Sequence, residues 1–70
     1  MTGYGVIIEG EAGGYSAYVP DLPGCVAAGA SITEVEGLIA EAIEAHVAAM
    51  VAAGEPVPPP AAVATRVVPA

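Results

Sequence analysis

Apolar and polar positions change their rhythm along the chain, and each rhythm predicts an element. Tyr4 to Glu9 carries the β-branched residues Val6, Ile7 and Ile8 and predicts a first strand. In such a strand Tyr4, Val6 and Ile8 share one face and Ile7 takes the other. Glu9 to Gly14 contains only glycines, acids and one alanine, which predicts a hairpin loop. Tyr15 to Val19 alternates again and predicts a second strand, with Tyr15, Ala17 and Val19 on one face and Ser16 and Tyr18 on the other. Tyr18-Val19-Pro20-Asp21-Leu22-Pro23-Gly24-Cys25 then turns a tight corner. Pro23 has no N–H and a fixed φ, Gly24 admits positive φ, and Asp21 can accept from nearby backbone N–H groups. Cys25 to Ala28 predicts a short third strand, completing an antiparallel meander.

The period then lengthens to that of a helix. Ser31 is an N-cap residue type with Glu34 three positions on, the capping-box pattern. Val35, Leu38, Ile39, Ala42, His46, Ala49 and Met50 recur at helical spacing, with Glu34, Glu41, Glu44 and Ala48 opposite. Gly37 inside this helix is either a close-packing point or a tolerated defect. Gly54 ends the helix and Pro56 prevents its continuation. Glu55 to Pro60 is a stiff, extended linker. Ala62 to Val68 alternates weakly, with Val63, Thr65 and Val67 on one side, and predicts a fourth strand. A right-handed crossover returns it beside the first strand and parallel to it, in sheet order 3-2-1-4. The fold class is α+β, in one domain over residues 1–70, with one helix packed on one face of the sheet.

Composition changes this picture in two ways. There is no Trp and no Phe, and Ala supplies much of the 56% apolar content, so the core is small for its length. One helix covers one sheet face, yet the strands place Ile7 and Tyr18 on the other, and Val47 and Val51 lie off the helix's apolar line. Together these predict self-association, as a homodimer or higher homo-oligomer. The formal charge is -7 with Arg66 as the one basic residue, which argues against nucleic-acid binding and for either a basic partner or simple solubility.

The chain offers little catalytic chemistry. His46 is the only histidine and has no second ligand at metal-binding spacing, so it reads as an interface or hydrogen-bonded residue. Cys25 has no basic sequence neighbour and reads as a small hydrophobe. Glu9, Glu11 and Asp21 make an unconvincing metal cluster, because two of them sit in or beside a loop. No cofactor, metal or nuclease activity is expected. A lone cysteine fits a reducing cytoplasm, and neither a signal peptide nor an apolar run of membrane-spanning length is read. The candidate partner-contact residues are Tyr15, Tyr18, Asp21, Glu41, Glu44 and His46. The tyrosines are equally explained as packing residues.

Tyr15 to Cys25, then Ala28-Gly29 and the capped helix, resembles the HicB family of antitoxins. Ala42-Ile43-Glu44-Ala45-His46 resembles the middle of that family's helix, and Gly54-Glu55-Pro56-Val57-Pro58 the segment after it. The resemblance implies a β-β-β-α-β partial ribonuclease H-like fold without ribonuclease activity. It also implies a partner, a small basic HicA-like toxin that cleaves RNA. Many members carry a C-terminal DNA-binding module. None is read here before Ala70, so direct operator binding by this chain is not expected. The rival reading is an orphan structural or ligand-binding domain without a toxin.

Overall fold

The computed structural model describes residues 4–59 and the backbone of 66–69. Strands β1 (Ile7–Glu11), β2 (Gly14–Tyr18) and β3 (Val26–Gly29) form an antiparallel meander, followed by helix α1 (Ile32–Ala52) and strand β4 (Arg66–Pro69). Neighbours in the sheet run β3-β2-β1-β4, with β4 parallel to β1. The expected start of the last strand, with Val63 and Thr65, lies outside the described residues, as does Pro60.

The first hairpin is tighter and later than its sequence predicts. β1 runs on through Glu9 to Glu11, where a loop was expected, and pairs Glu11 with Gly14 across a turn at Ala12-Gly13. Gly10 makes this possible. Its φ is 132°, and a Cβ there would run into the Gly14 carbonyl oxygen and lie 2.9 Å from Tyr15 Cα. What reads as loop glycine is a point of close strand approach.

The core forms where the even face of β1 and the odd faces of β2 and β3 meet the helix. Val6, Ile8, Ala17, Val19, Leu22, Cys25, Val35, Ile39 and Ile43 are buried. Each fully buried aliphatic side chain contributes about 1.5–3 kcal/mol as an upper figure, so Ile8, Leu22 and Val35 weigh heavily in so small a core. The helix packs over β3 and β2 through Val35, Ile39 and Ile43. This corrects the expected helix face. Leu38 is 41% exposed and Ala49 is exposed, whereas Ile43 is buried and Val47 packs against the core.

Both helix ends are closed by local hydrogen bonds. The Ser31 hydroxyl accepts from the Glu34 N–H at 3.1 Å. Glu34 reaches back to the Ala30 N–H at 2.6 Å rather than to that of Ser31, a displaced form of the expected box. At the other end Glu55 N–H donates to the Met50 carbonyl and Gly54 N–H to that of Val51, at 2.9 and 3.1 Å. With Gly54 at φ 72°, this is a Schellman closure.

Candidate interaction surface

The corner between β2 and β3 consists of two successive turns. Leu22 N–H donates to Val19 O at 3.1 Å, and Cys25 N–H donates to Leu22 O at 3.0 Å. The second turn has Pro23 and then Gly24 at φ 85°, the arrangement a type II turn requires. A third bond, Val19 N–H to Cys25 O at 3.2 Å, closes the loop onto the sheet. The result pushes Leu22 into the core while Pro20, Pro23 and Gly24 stay at the surface. Cys25 is buried beside it, and that burial pushes its thiol above the ordinary value of 9.0. A raised thiol value and a closed position suit a packing residue and oppose a nucleophile.

The sheet face away from the helix carries a short apolar row. The registers Ile7↔Tyr18 and Tyr18↔Val26 set these three side chains abreast across β1, β2 and β3. Ile7 is half-buried, Tyr18 is 41% exposed and Val26 is 64% exposed. The next row, Glu9–Ser16–Ala28, carries an acid, a hydroxyl and a methyl and is open to solvent. The sequence already places Ile7 and Tyr18 on this face, whereas Val26 was not singled out. The two-residue turn at Ala12-Gly13 fixes the register that sets Ile7 beside Tyr18, and the corner closed by Val19 N–H to Cys25 O fixes the one that sets Val26 there.

A second feature lies on the helix side. Leu22, Pro23, His46, Met50, Glu55 and Pro58 line an open hollow of about 350 Å³ beneath the corner, together with Ala49. The Tyr4 hydroxyl donates to the Pro58 carbonyl and holds the segment after the helix in place.

The six candidate contact residues fall in separate places. Tyr15 packs against the core on the helix-side face, and Tyr18 stands on the open face. Asp21 is half-buried in the corner, and His46 lines the hollow. Glu41 and Glu44 are exposed on the outer side of the helix. Glu9, Glu11 and Asp21 do not converge: among the described residues no three His, Cys, Asp or Glu side chains gather as a metal site would need. Among those residues no helix is long and apolar enough to cross a membrane.

Known proteins match this chain in sequence. The model of the HicB-like antitoxin of bacterial toxin-antitoxin systems matches residues 4–68. A UPF0150 protein of Synechocystis sp. is 41% identical over 56 residues, covering 79% of this chain and 71% of the relative. No solved structure matches. The family match takes in the meander, the double-turn corner, the capped helix and the returning strand, and on that extent the chain belongs to the HicB-like antitoxin family.

Proposed function

We propose that the chain is a non-catalytic binding module of the cytoplasm, a single domain that neutralises a small basic HicA-type toxin by covering its RNA-cleaving surface. The observation that carries this reading is the sign of the surface. Glu9, Glu11, Glu34, Glu36, Glu41, Glu44 and Glu55 are all exposed, against one basic residue in the sequence. Such a surface attracts and orients a basic protein. The open sheet face supplies an apolar centre at Tyr18 and Val26, with Glu9 on the adjoining row, as a protein interface requires. Tyr18, Glu41 and Glu44 are the proposed toxin contacts, with Asp21 and His46 at the corner and hollow, and Tyr15 supporting from within. The framework is a partial ribonuclease H-like fold, used as a scaffold. The module also associates with itself, because its own core is small.

The hollow beneath the corner favours a second reading, an orphan ligand-binding domain, since His46 and Glu55 place polar groups at an apolar cavity. Co-expression separates the two. The short reading frame beside this one is induced alone and then with this chain. Growth arrest by the neighbour, relieved by this chain and accompanied by co-purification, is the expected result. A neighbour that is neither toxic nor retained overturns the antitoxin reading.

A further inference from the structure

Strand β3 is the end of the sheet: it pairs with β2, and no described strand lies beyond it. The alternation of antiparallel bonding says which of its groups are open. Val19 N–H bonds Cys25 O, so pair 19/25 is a hydrogen-bonded pair, and 17/27 and 15/29 are as well. Val26 and Ala28 therefore turn their N–H and C=O outward. Further along, Glu34 already takes the Ala30 N–H, so the open stretch ends there.

Proteins ordinarily guard such an edge with lysine, proline or a charge turned inward. β3 reads Val-Ala-Ala-Gly and has none of these. It also lies in Leu22–Thr33, the longest run of the sequence without a charged residue. In a chain of net charge -7, that neutrality decides which partner fits. A basic protein finds one acid, Glu34, at the end of β3 and none along Val26–Ala28 itself. A second copy, repelled wherever the glutamates meet, is not repelled here.

We propose that two copies pair antiparallel along β3, giving one continuous sheet with both helices on the same side. This rests on the self-association proposed above and names the surface it uses. The register follows from the hydrogen bonds. A twofold axis normal to the sheet sets each residue against one whose number has the same parity. Setting Ala27 opposite the partner's Ala27 makes Val26 and the partner's Ala28 a hydrogen-bonded pair. All four outward groups of each strand are then used. The same register places the exposed Val26 side chain beside the partner's Ala28 on the open face.

Amide exchange and mass together test this on the intact chain without any toxin. At submillimolar concentration the expected mass is twice the 6.8 kDa of one chain, and the Val26 and Ala28 amides exchange slower by roughly tenfold or more than in dilute solution. Ala28→Pro removes an N–H that the chain's own sheet does not use, so the fold is retained while the mass returns to that of one chain. A monomer at every concentration overturns both the pairing and the self-association. A dimer whose Val26 and Ala28 amides exchange as fast as in the monomer overturns the pairing alone. The exchange measurement uses the unsubstituted chain, so it stands even where the proline variant does not fold.

Discussion

Gly24 shows how a single residue sets the corner. Its φ of 85° is one that β-branched residues avoid, and nothing lies within 4 Å of where its Cβ would sit. Substitution there is penalised by backbone strain and not by a clash. Gly24→Val combined with Pro23→Ala is expected to cost about 1–3 kcal/mol, or roughly 4–8 °C of melting temperature per kcal/mol in a domain of this size. Thermal unfolding followed by circular dichroism checks it, and an unchanged midpoint would show that the turn tolerates any residue. The turn itself was legible, because Pro-Gly at these positions dictates a type II geometry. The burial of Leu22 was not. Flanked by Asp21 and Pro23, it reads as loop, and only the second turn in succession tucks it inward. Gly10 was hidden for a related reason: glycine marks both a loop and a close approach, and only the register tells them apart.

The helix was legible at its ends and blurred along its face. Ser31 and Gly54 announce caps through local chemistry that the rest of the fold does not alter. The stripe between them is harder to read because Ala occupies so many positions and fits either side. Leu38 reads as apolar-face and Ile43 does not, yet the line that meets the sheet is Val35–Ile39–Ile43. Gly37 was open between two readings, and the structure decides for the tolerated defect: it is exposed, and no atom lies within 4 Å of a Cβ placed there. With no contact to lose, Gly37→Ala is expected to raise stability by about 0.4–1 kcal/mol through helix propensity and a less flexible unfolded chain. Urea titration measures this directly. A loss of stability would mean that the position is packed against a partner in solution.

The three-stranded meander with one helix was readable from period and turn chemistry, because each element carries its own signal. The surface features that matter for binding were readable only in part, since they depend on which residues come abreast. Composition gave the acidity; the registers of β1, β2 and β3 gave the apolar row beside it. These two features do different physical work. Apolar contact governs how long a complex lasts, whereas exposed charge acts mainly on encounter and is screened over about 10 Å at 0.1 M salt and about 3 Å at 1 M. Glu41 and Glu44 are exposed on the helix and lie outside the core, so replacing both with Gln leaves the fold intact. Against a basic toxin, the on-rate of the unsubstituted chain is expected to fall steeply as salt rises. In Glu41→Gln with Glu44→Gln it should start lower and fall less, with the dissociation rate nearly unchanged. Stopped-flow mixing across a salt series reads both rates. An on-rate that stays flat from low to high salt would reduce the acidity to a device for solubility, and would move the recognition of any toxin onto the apolar row alone.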